Sequence, residues 1–242
     1  MIPVVALYSN FLQRAYDMIL QDICMLGLHV VFAVDRAGLV GEDGETHHGV
    51  FDVGFLRQAP GLKLLCPGSR AELSDMLRWA VQVYDGPVAI RYPRGADKSY
   101  LDSAWESEDN AVVCHRAGED VALVTYGSML ENAVEAACML QNEDISVAVY
   151  RLMCLSDLPC EELARILQAK RVIVVEEVAA NSGIYQDLAY KLRHIAPEFF
   201  VYGMDLGDRY VPHGSVDALY QHCMIDSLSI AKKIKEVLGR EN

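Results

Sequence analysis

The chain has no apolar run approaching the roughly 20 residues that a membrane-spanning helix needs, and no Cys-x-x-Cys pair among its seven cysteines. The first absence gives no reason to expect a span. The second, with an odd cysteine count, argues against a zinc site or a disulfide framework. Basic residues are also scarce, 21 against 34 acids for a net charge of −13, which disfavours a general nucleic-acid or anionic-membrane surface. The opening MIPVVALYSN has no basic stretch ahead of its apolar residues, so no secretory leader is expected there. Reduced thiols in apolar surroundings fit a cytoplasmic protein. Against this acidic background, arginines beside glycine-rich turns carry more information.

What the chain does have is apolar content, 52% of 242 residues, enough for one large or two small domains. Short apolar runs at Pro3–Leu7 and His29–Val34 read as buried strands, and those at Lys63–Cys66 and Pro87–Tyr92 as further strands. A helix is expected over Asn10–Leu26, with Phe11, Ala15, Met18, Ile19, Ile23 and Leu26 on its buried face. Another runs from Ser69 to about Tyr84, with Ser69 and Glu72 spaced as a capping box. Strand and helix alternate in the rhythm of a parallel sheet. Periodicity stops between Ala96 and Asn110, an acidic stretch read as a linker. A second α/β block follows, with strands near Val121–Thr125, Ser146–Tyr150, Arg171–Glu176 and Phe199–Gly203. Its helices lie near Ser128–Gln141, Glu161–Gln168 and Ile184–His194, and a last one is capped by Asp226.

The most informative stretch is Asp35–Asp52, DRAGLVGEDGETHHGVFD, directly after the second strand. It sets Arg36, Glu42, Asp43, Glu45, His47, His48 and Asp52 among Gly38, Gly41, Gly44 and Gly49. Ligands of open parallel sheets bind just beyond the carboxyl ends of strands, and glycine lets backbone approach a ligand closely. Taken alone, the stretch also fits a solvated polar loop.

This stretch, with Tyr8-Ser9-Asn10-Phe11-Leu12-Gln13-Arg14-Ala15-Tyr16-Asp17 and Arg91-Tyr92-Pro93-Arg94-Gly95, resembles the 1-deoxy-D-xylulose-5-phosphate synthase family, thiamine-diphosphate enzymes of the transketolase superfamily. Val124–Ser128, Val174–Glu177 and Val211–Ser215 resemble that superfamily's C-terminal domain. After Glu177 the chain departs from the family's glycine-rich turn and reads Val178-Ala179-Ala180-Asn181-Ser182-Gly183. The resemblance implies an α/β fold. An N-terminally truncated, transketolase-like pyrimidine-binding domain (1–95) is expected, then a linker (96–110) and a transketolase C-terminal domain (111–242).

The activity implied is thiamine-diphosphate-dependent condensation of pyruvate with glyceraldehyde 3-phosphate, giving 1-deoxy-D-xylulose 5-phosphate and CO2 for isoprenoid, thiamine and pyridoxal biosynthesis. By the same resemblance Phe11 stacks on the cofactor's aminopyrimidine. Tyr8, Arg36 and Arg94 meet the substrate phosphate, and Asp43 and His47 contact the reacting groups. Arg14 lies at the pocket rim or a subunit contact, and His48 is a bystander. Without the resemblance, Phe11 reads as a core residue, and the alternative for Arg36 and Arg94 is a pair of surface salt bridges. No Gly-Asp-Gly…Asn run for diphosphate and magnesium occurs here. The cofactor and its Mg ligands are therefore expected to be shared with another portion of a synthase, on a partner chain or in a homo-oligomer, and the isolated chain is expected to be inactive. The alternative is a non-catalytic partner or remnant subunit of a transketolase-like complex.

Overall fold

A computed structural model of the chain describes residues 1–95, 105 and 111–240. The expected linker, 96–110, therefore lies outside the described residues except for Trp105, which is buried edge-on against Trp79.

The first domain contains β1 (Val4–Tyr8), α1 (Ser9–Leu12), α2 (Tyr16–Met18), β2 (Val31–Asp35), α3 (Asp52–Leu56), β3 (Lys63–Leu65), α4 (Arg70–Gln82) and β4 (Val88–Tyr92). Its four strands are parallel in the order β1-β2-β4-β3. The second contains β5 (Val112–Arg116), β6 (Val121–Thr125), α5 (Leu130–Gln141), β7 (Val147–Leu152), α6 (Cys160–Ile166), β8 (Arg171–Val175), α7 (Tyr185–Ile195), β9 (Phe200–Met204), α8 (Val216–Cys223) and α9 (Ser227–Leu238). The order is β5-β7-β6-β8-β9, parallel except for β5, which runs against β7. The antiparallel β5 and the helix α8 were not anticipated from the sequence.

Two expectations fail in the first domain. β1 is an edge strand, with Val4 and Leu7 exposed rather than buried, because it has one hydrogen-bonded neighbour and little covering its faces. The expected helix Asn10–Leu26 is broken into α1, a 3-10 turn (Gln13–Ala15), α2 and a π-helical stretch (Ile19–Cys24). In that stretch and just beyond it the amides of Met25 and Leu28 reach back five residues, to the carbonyls of Leu20 and Ile23. The wider turn rotates the buried face away from the 3.6-residue stripe. Leu12, Ile19 and Cys24 are buried, while Phe11, Met18 and Leu26 face outward.

The two domains share one apolar cluster. Phe32, Val34 and Leu64 of the first pack with Tyr126, Tyr150 and Leu152 of the second. A fully buried ion pair reinforces the seam. Arg151 on β7 donates to both carboxylate oxygens of Glu72 on α4, at 2.7 and 2.5 Å. Glu72 also accepts from Gly68 N–H at 2.7 Å, while its own N–H donates to Ser69 Oγ at 3.2 Å. The capping box is thus present, with its carboxylate reaching one residue further back and across the domain boundary.

His115 accepts a hydrogen bond from Arg151 Nε at 3.2 Å. Burial, reinforced by the Arg151 charge, pulls the imidazole down to about pKa 4. In the unfolded chain it titrates near 6.5, so on acidification the unfolded state takes up a proton first. The stability contribution is complete above about pH 6.5 and is lost as pH falls from there toward about 4. Urea unfolding at a series of pH values is expected to show this loss, and His115→Gln to flatten that part of the profile. An unchanged profile in the variant would assign the acid sensitivity elsewhere.

Among the described residues all seven cysteines are free thiols, with Cys114 and Cys138 exposed and the other five buried. Burial pushes the Cys66 thiol up to about 12, which leaves it protonated and inert.

Candidate active site

Parallel pairing sets the strand ends level. Tyr8 is opposite Asp35, and Asp35 opposite Tyr92. Whatever follows β1, β2 and β4 therefore collects along one carboxyl edge, the ligand-binding edge of such sheets. After β1 come Ser9 and Phe11, after β2 the long ionisable loop, and after β4 Arg94.

Arg36 leaves β2 in the left-handed region, φ 60°, an uncommon conformation for a residue with a side chain. Asp35 holds it there, accepting from the Arg36 N–H at 2.7 Å and from its guanidinium. The guanidinium lies 3.8 Å from the centre of the Tyr8 ring, a cation–π contact. Tyr8 stacks on Phe11 with centroids 5.5 Å apart, and Phe11 meets His47 edge-on at 5.3 Å. The His47 ring accepts or donates at Nδ1 toward Thr46 Oγ1, 2.9 Å away, while Asn10 donates from its side chain to the Thr46 carbonyl. Asp43 takes Arg94 at 3.1 Å, both partly exposed.

The loop closes on itself where Gly38 and Gly49 exchange two backbone hydrogen bonds of 2.8 Å. A Cβ on Gly49 would lie 2.2 Å from the Arg36 carbonyl oxygen and 2.5 Å from Ser9 Oγ, so only glycine fits this crossing. Two buried polar atoms here, Ser9 Oγ and Arg36 Nε, have no hydrogen-bond partner. Such orphans are rare in folded proteins and mark places where a bound group completes the set.

The structure thus brings Tyr8, Phe11, Arg36 and His47 into one contiguous cluster and joins Asp43 to Arg94 beside it. Arg36 and Arg94 each hold a separate carboxylate. Arg14 is exposed on the 3-10 turn after α1, with no hydrogen bond or ion pair among the described residues. A cavity of about 550 Å3 is lined from both domains, by Asp35, Leu39, Arg94, Ser128, Glu177 and Tyr220 among others. Tyr8, Phe11 and His47 are not on its wall.

Sequence reasoning passed over Asp35 and Ser9, although their places at strand ends were a usable signal, and it passed over the paired glutamates. Glu177 is buried and accepts from Leu39 N–H at 2.8 Å, Tyr220 O–H at 3.0 Å and Ser128 O–H. Glu176 accepts from Tyr126 O–H at 2.8 Å and from the N–H groups of Ile184 and Tyr185 at 2.7 and 2.9 Å. Burial raises both carboxyls above their ordinary range, although the donors oppose it. Two residues shape the turn after Glu177. Asn181 takes the left-handed position, φ 64°. Gly183 leaves room for Glu176, whose carboxylate would lie 2.2 Å from a Cβ there.

Two mostly parallel α/β sheets sharing a core, with aromatic and ionisable groups gathered at the carboxyl edge of the first, define the class: a tandem-domain α/β protein with a candidate site at that edge. Residues 1–98 match the family model described as "Transketolase, pyrimidine binding domain", and residues 110–230 match "Transketolase, C-terminal domain". The chain belongs to the transketolase family. It is 39% identical over 237 residues to a Chlorobium luteolum protein named 1-deoxy-D-xylulose-5-phosphate synthase, covering 97% of this chain and 38% of that protein. A protein of the same name from Heliobacterium modesticaldum is 39% identical over 243 residues, covering 97% of this chain and 37% of its relative. The chain therefore spans under two-fifths of the length of these curated relatives. A solved structure titled "Split gene transketolase, inactive beta4 tetramer" superposes with a TM-score of 0.84 at 24% identity, over 99% of this chain and 77% of that one. This last likeness concerns the fold. No helix among the described residues is long and apolar enough to cross a membrane.

Proposed function

We propose that the chain forms part of a 1-deoxy-D-xylulose-5-phosphate synthase, which joins pyruvate to glyceraldehyde 3-phosphate with loss of CO2 and depends on thiamine diphosphate. The observation that carries this reading is the contiguous Arg36–Tyr8–Phe11–His47 cluster at the level strand ends.

The residues present fit one end of the cofactor. Phe11 keeps 38% of its surface exposed despite two aromatic neighbours, so a ring face remains for a planar heterocycle. The buried Ser9 Oγ and Arg36 Nε lack partners, as polar groups do where a ligand supplies them. The cofactor would supply the carbon–carbon bond chemistry. This chain's groups would bind and orient the substrates. Arg36, Arg94 and Tyr8 suit a phosphomonoester, which carries roughly −1.5 to −2 charges and attracts guanidinium groups in bidentate geometry. His47, with Nδ1 engaged by Thr46, has Nε2 to exchange a proton with a reacting oxygen, and Asp43 contacts the reacting groups beside it.

Diphosphate and magnesium would be held elsewhere in the assembly, since the Gly-Asp-Gly…Asn run that the resemblance implies for them does not occur in this sequence. The edge of β1 with exposed Val4 and Leu7, and the exposed Phe11 of α1 and Met18 of α2, suit association with that portion or with a second copy. Sedimentation of the chain alone is expected to show self-association; a clean monomer would argue against a partner at this edge.

Two measurements test the proposal. Titration calorimetry should find weak or no binding of thiamine diphosphate to this chain, with or without magnesium. Tight, magnesium-dependent binding would overturn the shared-site reading. Adding the remaining portion of a relative as a separate polypeptide should restore product formation from pyruvate and glyceraldehyde 3-phosphate. Association without turnover would instead favour a non-catalytic partner subunit.

A further inference from the structure

We infer that His48 is a positioning residue that fixes the loop bearing Asp43 and His47 to the second domain. His48 is buried, with 2% of its surface exposed. Its Nδ1 accepts from Val40 N–H at 3.1 Å, which leaves Nε2 to donate to the Pro212 carbonyl at 3.1 Å. One neutral ring in one tautomer therefore connects the start of the loop to a segment of the second domain 164 residues away.

The surrounding contacts run along the same seam. Gly214 N–H donates to the Gly41 carbonyl at 3.3 Å, Leu39 N–H to Glu177 at 2.8 Å, and Ala179 N–H to the Val50 carbonyl at 2.9 Å. A Cβ on Gly44 would lie 3.2 Å from the Cβ of His213, so the backbone of the loop rests closely on His213. Val211–Ser215 is thus the seat of the loop, and His48 is the side chain that reaches it. Val40 immediately precedes the 3-10 turn Gly41–Asp43, and His47 is the residue before His48. Displacing His48 moves both neighbours of the proposed chemistry. A buried polar group that loses its partner costs more than the bond itself contributed, which makes the two-ended link difficult to replace with an apolar side chain.

The inference rests on the reading that Asp43 and His47 face substrate, but its test does not require turnover. Amide hydrogen exchange and ring resonances would be followed by NMR in the full chain. In His48→Ala the Val40 amide is expected to exchange at least about tenfold faster, the scale of one ordinary hydrogen bond. The His47 ring signals should shift while β6 amides stay protected. His48→Asn places its amide oxygen near the position of Nδ1 and should restore Val40 protection. His48→Gln, which reaches toward Pro212 instead, should restore it less. Unchanged Val40 exchange and His47 signals in the alanine variant would overturn the inference, as would equal acceleration of the β6 amides. If the alanine variant fails to fold, the other two decide: slower Val40 exchange in Asn than in Gln supports the link, and equal rates refute it.

Discussion

Arg151→Ala is expected to lower the free energy of unfolding by about 3–5 kcal/mol, the usual consequence of stripping one partner from a buried ion pair. Both groups are fully buried, and the guanidinium makes two parallel bonds to the Glu72 carboxylate. Removing the arginine takes both of these charge-assisted bonds from the buried Glu72 carboxylate, which keeps the Gly68 N–H donor. It also removes the donor to His115. Because β7 belongs to the second domain and α4 to the first, the loss should loosen the domain junction before either sheet. Urea unfolding with probes in each domain would read this as a drop in midpoint and a broadened or split transition. Glu72→Ala should cost a comparable amount, and the double variant less than the sum, since both substitutions remove the same shared interaction. A loss below about 1 kcal/mol for Arg151→Ala would show that solvent reaches the pair and screens it.

In a reconstituted enzyme, Arg94→Ala should weaken the phosphorylated aldehyde by about 2–3 kcal/mol, on the order of thirty- to a hundredfold, with little effect on pyruvate. Arg94 stands two residues after β4 and already holds the Asp43 carboxylate at 3.1 Å. Its guanidinium is thus directed to the loop and oriented for an anion. Pyruvate has no phosphate for it to recognise. Arg36→Ala should resemble it, while His47→Ala should lower turnover more than acceptor binding, as expected when a proton carrier rather than an anchor is removed. Steady-state kinetics with each substrate varied in turn separates these outcomes. If Arg94→Ala raised the requirement for pyruvate and the aldehyde alike, both arginines would be better described as ion-pair partners of Asp35 and Asp43.

The legible part of this protein was its strands and the loop between two of them. The run at residues 121–124 is apolar throughout because both faces of a parallel strand are covered, and that pattern is visible without coordinates. Asp226 at the start of the last helix was readable for a similar reason: a cap acts over three residues, accepting from Leu228 and Ser229 N–H. The segment after β1 was not readable in this way. Its apolar residues fit a 3.6-residue repeat, yet the broken helix buries Leu12 and Cys24 beside the expected Ile19 and leaves Phe11, Met18 and Leu26 exposed. Nothing local distinguishes the two, because packing against the sheet selects between them. The site divides along the same line. Arg36, Asp43 and His47 belonged to the ionisable loop, and the resemblance alone singled out these and Arg94, whereas His48 as a link to Pro212 depended on where distant backbone lay.

By itself the sequence determined the α/β class, the tandem arrangement and an ionisable, glycine-rich loop directly after a strand, because apolar patterning, capping and glycine placement act over a few residues. Only the tertiary structure decided that β1 lies at an edge, that Glu72 and Arg151 join the domains, and that His48 faces Pro212. Each of these depends on groups far apart in the chain, and their distance is set by the packing of two sheets around a shared core.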